Sequence, residues 1–324
     1  MPCEPNTCGS VGVFTSMLVE DSDVVDPCVV ATFDDQSERY EILSENIRYT
    51  DTLLGGSGLT GTIDKVGVHT RHGARIVTGQ VTMEVGPYEL EKWLPRIMLK
   101  DGPSPFTMDE TADLNPFDIM LKRDQGTVIY RHCAVRGAVF NAVASIGGNE
   151  QVMRMTLDIL GYEEHDATYP ATPPDLPSSP RLYWLLGDGK LTLDTPTVNT
   201  EYYFDSFSLR IDNGLTPLLR NFLRTTCIQS RGRDVTLRLS SPYTSGSHSN
   251  LYISDYSGEC VLNFLGTKND EVDNLYVTTF TFPEVHQIRR TPSTRGPGEI
   301  PLAVDFTAYR TSSAGPLTVT NSYS

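Results

Sequence analysis

The sequence predicts a mainly β protein with two tandem β-sandwich or barrel domains, each with a short α-helix. The main observation is a strand pattern that occurs twice, at Met155–Tyr162 and at Leu302–Tyr309. Both stretches alternate apolar with small or polar residues, carry Asp at the fourth position and end in a small residue followed by Tyr. Alternation with period two is typical of a strand with one buried face.

Two further matches precede this pair in the same order along the chain. Val81–Val85 resembles Val235–Leu239, and Ile47–Asp51 resembles Leu209–Asn213. Three collinear matches favour an internal duplication. The alternative is that short β-strands resemble one another by chance.

Composition narrows the class of protein. A length of 324 residues suggests about two domains, and 39% hydrophobic residues can form a core. The formal net charge of -15 argues against a protein that binds nucleic acid tightly through its phosphates, because such binding needs a basic surface. No signal-peptide pattern and no apolar stretch of about 20 residues is present. The six cysteines form no CxxC pair, so we expect reduced, mostly buried thiols.

Proline spacing suggests the domain boundaries. Five prolines between Pro170 and Pro180 favour an extended linker. The predicted segments are an N-terminal arm at 1–44, a first domain at 45–162, a Pro-rich linker and small hairpin at 163–200, a second domain at 201–311 and a C-terminal tail at 312–324. The acidic arm contains two strand-like runs that could join a neighbouring sheet, or it could be a merely solvated surface.

Each domain contains one predicted helix. Tyr88–Leu99 has an apolar face with helical spacing, Pro87 suits its first turn, and Pro95 should end or kink it. In the second domain, Thr216 followed by Pro217 predicts a helix start.

No motif predicts catalysis. The sequence contains no GxSxG, P-loop or GxGxxG pattern placed for its function. His69 and His72 lie close together in a Gly-rich stretch, without the acidic or thiol ligands that a metal site needs. We therefore predict no enzyme activity, no cofactor and no metal.

A family resemblance is carried by the second half of the chain. Phe207–Leu215 is similar to the strand that leads into an Asn-containing turn in siphophage tail tube proteins, and Glu299–Tyr309 resembles the strand that ends their tube domain. The segment Pro316–Asn321 also resembles the C-terminal part of these proteins. The resemblance is strongest over 201–321 and weaker over 45–162, where the Asp-Asn-Gly turn is missing.

The resemblance implies a structural virion protein without enzyme activity. Six tube domains would close a ring whose inner sheet lines a channel, and stacked rings would form an acidic-lined conduit for DNA. A two-domain chain would then form a homotrimer, a pseudo-hexameric ring. The implied partners are other copies of the chain, tail terminator and tail-tip or baseplate proteins, the tape measure protein inside the tube, and DNA in transit that is not tightly bound. The implied location is the virion tail, after synthesis and assembly in the bacterial host cytoplasm, without membrane insertion.

Two groups of candidate residues follow from this resemblance. Lumen-facing candidates are acidic residues on predicted polar strand faces, which arginines on the same faces could temper: Glu84, Asp158, Asp212 and Asp305. Inter-ring candidates belong to the long loops Leu54–Gly73 and Glu284–Gly298: Gly55, Gly58, Lys65, His69, Arg71, Arg289, Arg290 and Arg295. The alternative functions are a tail-tip or fibre β-protein that binds carbohydrate or a receptor, and an enzyme that acts on glycosides.

Overall fold

Antiparallel β-strands dominate the computed structural model. It describes residues 16–21, 33, 37–55, 70–100, 102–108, 116–123, 126–144, 149–176, 183–194, 199–202, 204–218, 227–242, 256–267, 275–288 and 301–322. Strands of the first half are β1 (Ser16–Asp21), β2 (Glu38–Glu41), β3 (Ser44–Glu45), β4 (Arg48–Gly55), β5 (Thr70–Glu84), β6 (Phe106–Thr107), β7 (Phe117–Arg123), β8 (Gly126–Val143), β9 (Arg154–Gly161) and β10 (Glu163–Ala167). Strands of the second half are β11 (Gly189–Asp194), β12 (Asn199–Tyr202), β13 (Ser206–Asp212), β14 (Leu215–Leu218), β15 (Cys227–Ser230), β16 (Asp234–Pro242), β17 (Ser257–Thr267), β18 (Leu275–Ile288), β19 (Pro301–Tyr309) and β20 (Thr318–Ser322).

One antiparallel sheet runs through both halves of the chain. Its strand order is β4-β5-β9-β8-β13-β16-β19-β18, with β3 continuing the β4 edge. The link between the halves is the β8–β13 pair, in which Gly137–Val143 lies opposite Ser206–Asp212. The two halves therefore share a sheet, and their apolar side chains form one continuous core.

Two strands leave this sheet and build a second layer over the core. The first part of β8 pairs with β7 and β10, whereas its second part pairs with β9 and β13. In the same way β18 pairs with β17 and β20 through its first part, and with β19 through its last residues. The outer strand orders are β2-β1-β7-β8-β10 and β12-β11-β17-β18-β20-β6.

Seven strands recur with the same neighbours in each half. The order β2-β1-β7-β8-β9-β5-β4 corresponds to β12-β11-β17-β18-β19-β16-β13. The registers correspond too. One cross-strand row in each half illustrates this: Arg48, Thr78 and Leu160 in the first, and Arg210, Thr236 and Thr307 in the second.

This register differs from the sequence match by four residues on one strand. Val77 lies opposite Gly161, as Val235 lies opposite Ala308, so Val77–Val81 takes the place that the sequence match gave to Val81–Val85. A shift by an even number keeps every side chain on the same face of the sheet, so alternation alone does not reveal it.

The described residues contain one α-helix, α1 (Pro87–Met98), which lies between β5 and β6. Pro87 occupies its first turn, and the Glu89 carboxylate accepts a hydrogen bond from the Gly86 N–H at 3.0 Å. Trp93 and its apolar neighbours are buried against the sheet. The helix continues through Pro95, so Pro95 does not end it, and it is capped by Leu99 in the left-handed conformation.

The predicted helix start in the second half also differs from the structure. The second helix does not begin at Thr216, because Leu215–Leu218 is strand β14, paired with β15. Residues 219–226 lie outside the described part. β1 pairs with β2 and β7 of its own chain.

Two described cysteines carry free thiols. Cys133 and Cys260 are fully buried, as expected for structural thiols. Burial raises the pKa of each thiol well above its ordinary value, and the Asp118 charge adds to this at Cys133. Thiols held in the protonated form in this way are poor nucleophiles.

Candidate functional site

The eight-stranded sheet has one buried face and one polar face. Val81, Leu157, Phe140 and Leu237 are examples of the buried side chains, each exposed by 1% or less. We call the opposite surface the polar face. Its residues include Asn46, Arg48, Thr50, Gln80, Thr82, Glu84, Gly137, Val139, Asn141, Arg154, Thr156, Asp158, Ser208, Arg210, Asp212, Asp234, Thr236, Arg238, Glu284, His286, Ile288, Asp305 and Thr307. The row of Arg48 continues through Thr78 to Leu160, which is buried on this face.

All four predicted lumen-facing residues lie on the polar face. Asp158 and Asp212 are both directly opposite Gly137, one on each side of β8, so they belong to one cross-strand row. Glu84 is opposite Arg154, and Asp305 is opposite Arg238. Directly opposed residues project from the same face of an antiparallel sheet. Strand pairing thus brings together residues that are far apart in the sequence.

Three of these carboxylates have an arginine partner. Arg136 Nη2 lies 2.7 Å from Asp158, Arg210 Nη2 lies 3.2 Å from Asp212, and Arg238 Nε lies 3.6 Å from Asp305. These arginine side chains are 43% to 64% exposed, so each pair contributes about 1 kcal/mol or less.

The charge of the polar face is mixed. Its six carboxylates are Glu84, Asp158, Asp212, Asp234, Glu284 and Asp305. Its arginines are Arg48, Arg154, Arg210 and Arg238, with Arg136 reaching in from β8. The acids are therefore largely balanced, and two of them, Asp212 and Asp234, face each other directly across β13 and β16.

The inter-ring candidates are divided between strands and residues that the structure does not describe. Gly55 is opposite Thr70, and Leu54 is opposite Arg71, so Gly55 and Arg71 are strand residues and not loop residues. Glu284–Ile288, the start of the second predicted loop, belongs to β18. The other candidates lie outside the described residues: Gly58, Lys65, His69, Arg289, Arg290 and Arg295.

Long extensions nevertheless project from corresponding places in the two halves. β4 and β5 continue beyond the sheet as a two-stranded hairpin, Asp51–Gly55 with Thr70–Arg75. Between the corresponding strands β13 and β16, the pair β14–β15 forms a separate two-stranded sheet. Both extensions leave from the same end of the shared sheet.

The described part of the chain contains no group of three or more His, Cys, Asp or Glu side chains placed to hold a metal ion. Among the same residues, no helix is long and apolar enough to cross a membrane.

Sequence reasoning missed several residues of the polar face. Asp234 could have been found, since it alternates in phase with Thr236 and Arg238 of the same strand. Glu284 was assigned to a loop, so its place in β18 was missed. Gly137 at the seam between the halves carries no local signal, because its importance comes from long-range pairing.

Comparison with known proteins identifies a family for this chain. A search of curated proteins finds no match. A sequence model of the phage tail tube protein family matches residues 67–308, about three quarters of the chain. The match covers most of the shared sheet in both halves. The chain therefore belongs to the phage tail tube protein family.

Proposed function

We propose that this protein is the ring-forming subunit of a phage tail tube, with the polar face lining an axial channel for DNA. The observation that carries the proposal is the continuous eight-stranded sheet, which is apolar on one face and polar on the other. A curved sheet of this kind can close around an axis by adding further copies side by side, and closure removes exposed strand edges.

We further propose that the chain contains a tandem duplication of one domain fold. The support is the recurrence of seven strands with the same neighbours and corresponding registers. Six such repeats in a ring correspond to three chains, a homotrimer with pseudo-sixfold symmetry.

The strand stagger supports closure into a barrel. The cross-strand row that starts at Asn46 passes through Gln80, Asp158 and Gly137 and reaches Asp212 on β13. The residue of β13 that corresponds to Asn46 is Ser208, so the row arrives four residues further along the strand. Each repeat thus adds four strands and a stagger of four residues. With standard strand dimensions this gives a tilt of about 35°, within the range for closed barrels. Six repeats give 24 strands, more than the 16–18 that already enclose an aqueous channel in porins.

The mixed charge of the polar face suits a conduit. Arginines paired with neighbouring carboxylates are less available to phosphates, so DNA passes without being held. The net charge of -15 on the whole chain acts in the same direction.

The two extensions at one end of the sheet suit contacts between stacked rings. We propose that the β4–β5 hairpin and the β14–β15 pair contact the adjacent ring. Deletion of residues 56–69 should leave folded rings that no longer form tubes. The proposal places the protein in the virion tail, assembled in the host cytoplasm with terminator, tail-tip and tape measure proteins.

Electron microscopy and light scattering test the proposal. Purified protein should form rings or hollow rods, and the ring mass should equal three chains. A mass of six chains would mean that one repeat per chain lines the channel. Solid particles without an axial opening would contradict the proposal, and would favour a receptor-binding protein.

A further inference from the structure

The seam between the two halves defines how one repeat binds the next. Gly137–Val143 of β8 pairs with Ser206–Asp212 of β13, and the Asn213 N–H donates to the Arg136 carbonyl at 2.8 Å. Asn213 and Arg136 are therefore a hydrogen-bonded pair, which makes the adjacent Asp212 and Gly137 a non-hydrogen-bonded pair. In such pairs the Cα atoms approach to about 4.5 Å.

The cross-strand rows identify the residue of β18 that corresponds to Gly137 of β8. In the first half, Gly137 ends the row that contains Gln80 and Asp158. In the second half, the corresponding row contains Arg238 and Asp305 and ends at Ile288. Ile288 thus has the place in β18 that Gly137 has in β8.

The same comparison identifies the residue of β4 that corresponds to Asp212 of β13. Arg48 corresponds to Arg210, and two residues further along these strands Thr50 corresponds to Asp212. Within the described residues β4 pairs only with β5, whereas β13 has β8 on its other side.

Both positions are accessible in the single chain. Thr50 is exposed, and Ile288 is 52% exposed. On the β17 side of β18, the last hydrogen bond runs from the Gln287 N–H to the Tyr256 carbonyl at 3.0 Å, one residue beyond the His286–Ser257 pair. Among the described residues, no strand pairs with Ile288 on that side.

We propose that the end of β18 at Ile288 in one copy pairs, antiparallel, with the β4 edge at Thr50 in a second copy. The pairing repeats the Asp212–Gly137 register of the internal seam, so that Thr50 lies directly opposite Ile288. The proposal rests on the tandem fold proposed above, and it names the surface and the register with which neighbouring chains join. The contact covers the exposed isoleucine with a β-branched neighbour, a favourable cross-strand pair.

One feature of the β4 edge limits where this pairing begins. The Ile47 carbonyl already accepts hydrogen bonds from Arg123 Nη2 at 2.8 Å and from the Tyr130 hydroxyl at 2.9 Å. The pairing between copies therefore uses the Thr50 end of the edge and not the Ile47 end.

Cysteine cross-linking tests the register. Disulfides need Cα atoms about 4.4–6.8 Å apart, which a non-hydrogen-bonded pair provides. We expect a Thr50→Cys and Ile288→Cys double variant to form covalent trimers under oxidation, and a mixture of the two single variants to form covalent dimers. The matched control pairs Ile288→Cys with Leu43→Cys, which is 52% exposed but seven residues from Thr50; it should remain uncross-linked.

The outcomes separate this inference from the proposed function. Wild-type rings together with cross-linking at the Leu43 pair and not at the Thr50 pair would overturn the register. Wild-type protein that stays monomeric by light scattering, with neither pair cross-linked, would overturn both proposals. Cross-linking at the Thr50 pair into open chains without rings would support the edge pairing and contradict the closed trimer.

Discussion

The side-chain amide of Asn213 donates a hydrogen bond to the backbone carbonyl of Ile97 at 2.8 Å. Ile97 lies in the last turn of α1, where carbonyls have no partner within the helix. The same amide donates to the Val135 carbonyl at 3.0 Å, next to the register shift between Val135 and Gly137. One residue of the second half therefore satisfies two buried acceptors of the first half.

Replacement of Asn213 by Ala should destabilise the fold. The variant leaves two buried carbonyls without this donor, and each such loss costs about 1–3 kcal/mol. We expect the free energy of unfolding to fall by at least about 2 kcal/mol, measured by urea denaturation of unassembled protein. Asn141→Ala, an exposed change on the polar face, is the control and should change it by less than about 0.5 kcal/mol. Equal effects of the two changes would contradict this assignment.

The residue after Asn213 is equally constrained. Gly214 has a φ of 57°, and a Cβ there would collide with the Gly232 carbonyl oxygen. Gly214→Ala should lower the midpoint of thermal unfolding and cost about 2 kcal/mol or more, since backbone strain and a clash add together. At Gly126 a Cβ would meet no atom within 4 Å, so Gly126→Ala should be neutral or slightly stabilising. A neutral Gly214→Ala variant would show that the turn can rearrange.

Local patterns in the sequence predicted much of the sheet. Alternation identified β5, β9, β13, β16 and β19 and their buried faces, because period two follows directly from strand geometry. It could not identify the register, since a shift of four residues preserves the alternation. The seam between β8 and β13 was also out of reach, because no local signal encodes which distant strand will pair.

The two helix predictions show the limit of capping signals. The prediction of a helix at Tyr88–Leu99 was correct because the apolar face of this stretch is long enough to pack against the sheet. Thr216 followed by Pro217 gave the same start signal, yet this stretch is β14 in a two-stranded sheet. Proline is tolerated on edge strands, so the signal is ambiguous without tertiary context.

Glu38 should make stability depend on pH. Burial of its carboxylate raises the pKa, but the Arg96 charge and hydrogen bonds from Tyr40, Lys92 and Arg96 outweigh this, and the pKa lies below its ordinary value. A carboxyl group with a depressed pKa in the folded state stabilises the fold above its unfolded pKa of about 4.3. This stabilisation is lost as the pH falls through the folded pKa.

The Glu38→Gln variant isolates this contribution. Arg96 is 7% exposed, and among the described residues it keeps Asp21 as its ion-pair partner in the variant. Breaking a buried pair costs about 3 kcal/mol, so we expect a loss of that size at pH 7 that shrinks toward zero at acidic pH. Urea denaturation at a series of pH values measures it. The exposed Glu259→Gln change should show neither effect, and a loss for Glu38→Gln that is constant with pH would contradict the assignment.

The charge of the polar face should decide whether DNA is held. Asp212 and Asp234 lie directly opposite each other, an arrangement of like charges that costs stability. Replacing both by Lys keeps this repulsion with reversed sign, and it removes the Arg210–Asp212 pair and the hydrogen bond that Asp212 accepts from the Gly214 N–H at 2.9 Å. Stability should therefore fall by about 1–3 kcal/mol, while phosphates gain a binding site. Tubes of the double variant should then retain a labelled DNA duplex at low salt in sedimentation assays, and release it as salt increases.

The matched control changes the net charge of the protein by the same amount, at residues outside the polar face. Asp166 in β10 and Glu259 in β17 are exposed residues outside the polar face. Replacing these two by Lys should leave DNA unbound by the tubes, as for the wild type, because the polar face keeps its own charge. Equal DNA retention by the two double variants would mean that total charge governs binding, and that the polar face does not line the channel. Retention by the Asp212 and Asp234 variant alone locates the DNA path on that face, since only there does the added charge meet the duplex.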